Sequence, residues 1–344
     1  MFIFLLLHPA FYAEIAFAEN SSIITNSDSD YSLDQESLNI KDHEPHIAVI
    51  LSTQSEQISE ISKAIFQGLT HSHQSNLDLM PLKFYGDQYD SPEKLLPTYQ
   101  NAVARGAVAV IGPLTRKAVD EMISTTTNEL PTLCLNVTDL LESAPANIYF
   151  FGLQIENEAK SIARLAHSEG GRKLLIISDK APLNQRVSVA VRKEWGDFSN
   201  DIVDEIDYDS FADNTSGLID YLLDTEADTI FMALNPDNAR NLRPFLGSRL
   251  PIYSTSIIHT SEKDKLRMHD LEEVRFLEMP LVIDNLSMSE SSKIDEYELR
   301  LKRFYAIGMD AGNLMKFILA DAELPAGQIE GSSGNIKLKK RVFE

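Results

Sequence analysis

Short apolar runs alternate with amphipathic segments along most of this chain. The run Ala107–Ile111 is uncharged and rich in β-branched residues, which is typical of a parallel strand covered on both faces. Gly112-Pro113 ends the strand, and Thr115 is suited to cap the helix that follows. The segment therefore predicts a strand, a tight turn and a helix, which is the repeating unit of an open α/β sheet.

The same unit recurs before and after this segment. Apolar residues at helical spacing, for example Ile58, Ile61, Ile65 and Leu69, predict helices between the strands. Leu95, Leu96, Tyr99 and Val103 predict the buried face of the helix that Gly106 ends. The predicted strands are 46–51, 79–85, 107–111, 130–135, 148–153, 173–178, 202–208, 229–234, 250–255, 274–283 and 335–342. The other predicted helices are 156–169, 184–195, 215–225, 236–246 and 295–319.

The two series of strands and helices have similar order and length, which predicts an α/β protein of two Rossmann-like lobes with parallel sheets. We expect lobe 1 to comprise about 46–150 plus 274–325. We expect lobe 2 to comprise about 151–273 plus the C-terminal tail. Two lobes joined by several chain crossings would form a hinged cleft.

The first 18 residues predict a signal peptide, with a short apolar region followed by Ala16-Phe17-Ala18 as the cleavage site. Residues 19–45 are rich in Ser, Asn and Asp and predict a flexible tether before the domain of residues 46–344. We therefore expect a protein exported to the periplasm. No other segment is long and apolar enough to predict a membrane span.

Composition and motifs argue against several classes of protein. The net charge of −21 (31 basic against 52 acidic residues) argues against a nucleic-acid partner, because phosphate backbones require a basic surface. The single cysteine, Cys134, excludes an intramolecular disulfide and predicts a buried thiol. His71 and His73 lie two residues apart, which does not suit a metal site on a helix. No nucleophile elbow, zinc-protease motif or phosphate-binding loop occurs, so we expect no enzyme activity, metal or cofactor.

Polar loops follow several of the predicted strands, at the edge where open α/β sheets bind ligands. Their backbone N–H groups and hydroxyls suit a small polar ligand between the lobes. The alternative is that Thr115 and Thr138 cap helices and Asn136 completes a turn, since no cluster of Arg or aromatic residues accompanies them. The candidate ligand residues are Ser52, Thr53, Leu114, Thr115, Asn136, Thr138, Ser254 and Ser256.

A basic stretch at 300–303 stands out in this acidic chain. Lys302 and Arg303 are candidates for docking against an acidic patch on a partner protein. The alternative is a solvated helix face whose charges pair with Asp295, Glu296 and Glu298.

Seven segments, in order, resemble the family of penicillin-binding protein activators, the LppC-like outer-membrane lipoproteins. The resemblance runs from about residue 46 to the end and departs where Met-Pro is followed by Leu281 rather than Trp. The segments are Gly-Pro-Leu-Thr-Arg (112–116), Leu-Asn (135–136), Phe-Gly-Leu-x-x-Glu-x-Glu-Ala (151–159), Tyr-Ser-Thr-Ser (253–256), Met-Pro (279–280), Arg-Phe-Tyr-Ala-Ile-Gly-Met-Asp-Ala (303–311) and Gly-Ser-Ser-Gly-Asn-Ile (331–336).

The resemblance implies a type I periplasmic-binding fold and a non-enzymatic role. Family members bind a class A penicillin-binding protein, a bifunctional peptidoglycan synthase, and stimulate its transpeptidase activity. The family's larger members carry a helical-repeat domain before this region and a lipidated cysteine at the signal cleavage site. The tether stands in place of that domain here, and no cysteine follows Ala18. The alternative function is a periplasmic receptor for a small, amino-acid-like solute, and a cell-wall hydrolase is a distant third because no nucleophile–base pair is visible.

Overall fold

A computed structural model describes residues 43–75, 80–124, 129–198, 204–210, 215–260, 269–287, 298–324 and 327–344. The predicted signal peptide and the tether up to residue 42 lie outside these residues. The chain divides into two compact units. We call residues 43–152 and 301–344 the N-terminal unit, and residues 153–300 the central unit.

The first part of the N-terminal unit alternates strands and helices as predicted. Each helix buries one apolar face; on the first of them Ile61, Ile65 and Leu69 are at most 3% exposed. The strand Ala107–Ile111 has the predicted limits. The elements are β1 (His46–Val49), α1 (Glu56–Ser75), β2 (Leu82–Phe84), α2 (Leu95–Ala104), β3 (Ala107–Ile111), α3 (Arg116–Ser124), β4 (Thr132–Cys134) and β5 (Ile148–Phe151).

The central unit repeats the pattern around a second sheet. Its core lies on both faces of this sheet, and Trp195, the only tryptophan, is fully buried on one of them. The elements are α4 (Ile155–Ser168), β6 (Leu174–Ser178), α5 (Pro182–Phe198), β7 (Asp204–Asp207), α6 (Thr215–Asp224), β8 (Thr229–Ala233), α7 (Pro236–Leu246), β9 (Ile252–Ser254), β10 (Val274–Arg275) and α8 (Pro280–Ser287).

The chain then returns to the N-terminal unit through α9 (Leu299–Ala320). Three short strands follow, β11 (Gln328–Glu330), β12 (Asn335–Lys339) and β13 (Val342–Phe343). They pair antiparallel with one another, and β13 pairs parallel with β5. The sheet order is β11-β12-β13-β5-β4-β3-β1-β2 in the N-terminal unit and β10-β9-β8-β6-β7 in the central unit.

Glycines bring α1 and α9 into backbone contact within the N-terminal unit. A Cβ atom added at Gly308 would collide with the carbonyl oxygen of Ile65. A Cβ added at Gly68 would likewise collide with the carbonyl oxygen of Tyr305. Only glycine allows two helices to approach this closely, so these two positions set the distance between α1 and α9.

The structure differs from three sequence-based expectations. The strand expected at 274–283 is only two residues long. Pro280 instead begins α8, where proline is tolerated because the N–H groups of the first helical turn make no hydrogen bond within the helix. The C-terminal strands belong to the N-terminal unit and residues 274–300 to the central unit, the reverse of the expected lobes. Val103, expected on the buried face of α2, is 36% exposed.

Candidate functional site

Ser52 and Thr53 lie in the loop that follows β1, and both are engaged in hydrogen bonds inside the N-terminal unit. Ser52 is 2% exposed, and its Oγ accepts a hydrogen bond from the backbone N–H of Gln54 at 3.2 Å. The Thr53 hydroxyl donates to the carbonyl oxygen of Gly86 at 2.9 Å. Both side chains therefore stabilise this loop.

Asn136 connects the loops that follow β3 and β4. Its Nδ2 donates to the carbonyl oxygen of Leu114 at 2.9 Å, and its Oδ1 accepts from the backbone N–H of Val137 at 2.9 Å. In the first of these loops, the Thr115 hydroxyl accepts from the N–H of Ala118 at 3.4 Å. The predicted helix cap at Thr115 is thus present, and both ends of the Asn136 side chain are occupied.

Thr138 connects the loop after β4 to α3. It is 6% exposed, and its hydroxyl donates to the carboxylate of Asp120. The same oxygen accepts from the N–H of Leu140 at 3.3 Å. The predicted ligand residues of the N-terminal unit therefore lie at one edge of its sheet, as expected, but their side chains hydrogen-bond within the unit.

The predicted ligand residues of the central unit are also engaged internally. Ser254 is fully buried, and its hydroxyl donates to the carbonyl oxygen of Met232 at 2.7 Å. Ser256 donates its backbone N–H and its hydroxyl (3.0 Å) to the two carboxylate oxygens of Glu158. Glu158 lies in the first turn of α4 and is 2% exposed, so these bonds compensate a carboxylate removed from water.

Lys302 does not form the exposed basic face that the sequence suggested. It is 3% exposed, and the neighbouring apolar residues Leu301 and Phe304 are buried as well. Arg303 is half-buried. The helical spacing of apolar residues did not predict that Lys302 is buried, because α9 buries residues on more than one face along its length.

Asp179 is a site residue that the sequence analysis missed. It follows β6 directly, is 3% exposed, and lies where the sheet order changes direction, the position beside which open α/β sheets bind ligands. Its carboxylate accepts from Asn184 Nδ2 (2.8 Å), from the backbone N–H of Asn235 (2.9 Å) and from Asn238 Nδ2 (3.1 Å). It also accepts from the N–H of Ala181 and from Asn235 Nδ2. The Asp179 carboxylate thus occupies the edge of the sheet where a ligand would bind, and it accepts the backbone N–H of Asn235 at the start of α7.

A depression of about 720 Å³ lies beside Asp179, between α5 and β7. Its charged side chains pair with one another: Lys180 with Asp207 at 3.3 Å, and Arg192 with Glu205. Burial acts to raise the pKa of Asp207, but the N–H of Asp209 and the ammonium of Lys180 hold it below its ordinary value. The lining residues are Ser178, Lys180, Gln185, Arg192, Glu205 and Asp207. The Ser178 hydroxyl donates to the Glu205 carboxylate at 3.0 Å, and because Glu205 also pairs with Arg192, the charges of the depression are compensated locally.

The remaining groups with reactive or metal-binding chemistry are the His, Cys, Asp and Glu side chains of the part of the chain that the structure describes. No group of three or more His, Cys, Asp or Glu side chains within it is arranged to hold a metal ion. Cys134 is fully buried, and burial raises the pKa of its thiol, which opposes reactivity. No helix among the described residues is both long enough and apolar enough to cross a membrane.

Comparison with known proteins gives a family match and two groups of related structures. The family model described as "LppC putative lipoprotein" matches residues 35–342. The penicillin-binding protein activator LpoA of Glaesserella parasuis is 26% identical over 247 residues, covering 68% of this chain and 41% of the relative. LpoA of Pectobacterium parmentieri is 23% identical over 302 residues, covering 74% and 44%. The chain therefore spans less than half the length of the curated relatives it matches.

The solved structures have the same fold. The LpoA C-domain from Haemophilus influenzae, titled a regulator of PBP1A, superposes with a TM-score of 0.70 at 19% identity, covering 87% of this chain and 94% of that one. A putative branched-chain amino acid ABC transporter from Chromobacterium violaceum superposes with a TM-score of 0.70 at 26% identity, covering 88% and 97%. The predicted α/β fold of the periplasmic-binding type is confirmed.

Proposed function

The chain belongs to the family of LppC putative lipoproteins, and from this membership we propose that it regulates peptidoglycan synthesis in the periplasm by binding and stimulating a class A penicillin-binding protein. The observation that carries the proposal is the family match over residues 35–342, together with relatives named penicillin-binding protein activator. The role is non-enzymatic: the protein acts through contact with the synthase.

The geometry of the loops supports action through a surface. The hydroxyls of Thr53, Thr138 and Ser254 each donate to an acceptor inside their own unit. The Glu158 carboxylate is likewise bound by Ser256. These hydroxyls and this carboxylate are satisfied by groups of the same unit, so the role that the hydrogen bonds support is to hold the loops in place.

The test is transpeptidation by the class A synthase of the same organism, measured with and without the purified chain. Stoichiometric amounts should increase the rate of cross-linking. The control is an unrelated acidic solute receptor of the same fold at equal concentration, which should have no effect. The proposal fails if cross-linking is unchanged and the synthase does not retain the chain in a pull-down.

A second candidate function is a receptor for an amino-acid-like solute. The structure from Chromobacterium violaceum favours it, because the match covers 97% of that chain at 26% identity. The internal hydrogen bonds of the candidate residues oppose it. A receptor at a ligand concentration of 100 Kd gains about 2.7 kcal/mol of stability. Leucine, isoleucine and valine at millimolar concentration should then raise the melting temperature, whereas a dedicated activator shows no shift.

A further inference from the structure

The C-terminal hairpin carries exposed basic side chains on a strongly acidic protein. Lys337, Lys339 and Lys340 are all exposed, and the side chains of Lys339 and Lys340 are 76% and 74% exposed. Leu338 between them is 42% exposed, although it is a large apolar residue. We call residues 337–340 the basic hairpin. It lies entirely within the N-terminal unit.

The basic hairpin is held in a defined position. Leu338 pairs with Phe343 across the two strands, and Lys337 exchanges backbone hydrogen bonds with Glu344 at 2.7 and 2.8 Å. At its end, the Arg341 guanidinium donates to the carbonyl oxygen of Ala144 at 3.0 Å. It also donates to the carbonyl oxygens of Pro145 and Ile148. A charged surface on a rigid element loses little entropy on binding, which favours recognition.

The charge of the hairpin contrasts with that of the whole chain. Residues 328–344 hold four basic residues against two acidic ones, while the whole chain has 31 against 52. Lys339 pairs with Glu344 at 3.4 Å and Lys340 with Glu142 at 3.1 Å. Both members of the Lys340–Glu142 pair are exposed, Glu142 to 81%, so the ion pair is weak. Lys340 can therefore leave Glu142 and pair with a carboxylate of the partner.

We propose that the basic hairpin is the surface that docks an acidic patch of a protein partner through the charges of its three lysines. The proposal rests on the proposed function, and the partner is then the class A synthase. The acidic remainder of the chain repels an acidic partner in other orientations, so the hairpin steers encounter and fixes the binding orientation. The partner is taken as a protein because the proposed function acts through contact with the synthase.

The experiment compares two triple charge reversals of the full chain. The docking variant is Lys337→Glu, Lys339→Glu and Lys340→Glu. The control variant, Lys94→Glu, Lys173→Glu and Lys193→Glu, makes the same change in net charge at exposed lysines elsewhere. Each variant also breaks two ion pairs, because in the control Lys94 pairs with Asp90 at 2.7 Å and Lys173 with Glu226 at 2.6 Å.

Affinity and association rate for the synthase are measured at 50 and 300 mM NaCl. We expect the docking variant to bind at least ~10-fold more weakly at 50 mM, mainly through a slower association rate, and the control less than ~3-fold more weakly. The difference should shrink at 300 mM because salt screens exposed charges. Both variants should keep the melting temperature of the parent, which excludes a folding defect.

Three outcomes would overturn the inference. If the parent binds the synthase and both variants bind alike, the docking surface lies elsewhere while the proposed function stands. If the parent does not bind the synthase, the proposed function fails and the inference with it. If the docking variant keeps synthase affinity but loses the parent's binding to phosphatidylglycerol vesicles, the hairpin is a membrane-binding site instead.

Discussion

The carboxylate of Asp310 joins α9 to the turn between β11 and β12 by accepting hydrogen bonds from Ser333. Both the backbone N–H of Ser333, at 2.7 Å, and its hydroxyl donate to this carboxylate, and the N–H of Ser332 donates as well at 2.7 Å. Asp310 is 1% exposed. A Cβ atom at Gly331 would lie 2.7 Å from Asp310 Oδ2, so the turn is closed tightly against the carboxyl group.

Stability should depend on pH through Asp310. Burial raises the pKa of its carboxyl group to about 6, although the Ser332 and Ser333 donors act to lower it. An unfolded Asp has a pKa of about 3.9. Between about pH 4 and 6 the folded protein therefore keeps a proton that the unfolded chain releases, and the free energy of unfolding falls as the pH rises, by about 3 kcal/mol in total. Above pH 6 this contribution stays constant.

Asp310→Asn should remove this part of the pH dependence, since an amide does not titrate. The measurement is urea unfolding followed by far-ultraviolet circular dichroism at several pH values between 4 and 7. The variant can be less stable at every pH, so the slope is the readout. The control is Asp139→Asn at a side chain that is 97% exposed, which should keep the parent's slope. An unchanged slope in Asp310→Asn would contradict the assignment.

The contact between Asp310 and Ser333 joins two segments of the family resemblance, and side-chain contacts join two further pairs of these segments. Asp310 belongs to segment 303–311 and Ser333 to segment 331–336. The Glu158 carboxylate of segment 151–159 accepts from the N–H of Ser256 in segment 253–256, and Asn136 of segment 135–136 donates to the carbonyl oxygen of Leu114 in segment 112–116. In each case a side chain of one segment binds backbone of the other. These six segments therefore have a structural role in this chain, which agrees with a function exerted through the surface.

Removing the Glu158 carboxylate should destabilise the central unit more than removing the Ser256 hydroxyl. Ser256→Ala loses one hydrogen bond to a charged group but keeps the backbone N–H bond, so we expect a loss of about 1–2 kcal/mol. Glu158→Ala leaves the N–H of Ser256 without its acceptor and opens a cavity, so we expect about 2–4 kcal/mol. Fluorescence of the buried Trp195, which lies in the same unit, reports the unfolding transition. Equal losses in the two variants would contradict this order.

The sequence predicted most elements, because their signals are local. The limits of β3 follow from the run of β-branched residues and the Gly112-Pro113 stop. Thr115 caps α3 as its position suggested. The start of α8 was missed although Pro280 is a helix-start signal, because the preceding apolar residues suggested a strand. Local sequence patterns thus predict the presence and type of an element better than they predict its first and last residues.

Long-range choices could not be predicted from the sequence. The pairing of β13 with β5 decides to which unit the C-terminal strands belong, and no local pattern encodes a partner almost two hundred residues away. The burial of Lys302 depends on how α9 packs, since its neighbours Arg300 and Arg303 are similar in chemistry but less buried. The basic hairpin was missed for a related reason, because its exposure follows from the pairing of β12 and β13.

Asn136→Ala distinguishes a structural role from ligand binding at the edge of the N-terminal sheet. The variant loses the bonds to Leu114 and Val137, so we expect the free energy of unfolding to fall by about 1–3 kcal/mol. Stimulation of the synthase, measured well below the melting temperature, should not change. The control is Asn157→Ala on α4, where the side-chain bonds to Gln154 and from Lys160 stay within one helix, so stability should change by less than about 0.5 kcal/mol. A loss of stimulation without a loss of stability would show that Asn136 acts directly in function.

Two glycine-to-alanine substitutions should change stability in opposite directions. Gly308→Ala places a methyl group against the carbonyl oxygen of Ile65, so α1 and α9 must separate, and we expect a loss of about 1–3 kcal/mol. Gly196→Ala on α5 meets no atom within 4 Å, and alanine favours the helix, so we expect a gain of about 0.5–1 kcal/mol. Urea unfolding of the two variants and the parent measures both effects. If Gly308→Ala were as stable as Gly196→Ala, the close approach of α1 and α9 would be wrong, because alanine improves helix propensity equally at both positions and only the contact with Ile65 separates them.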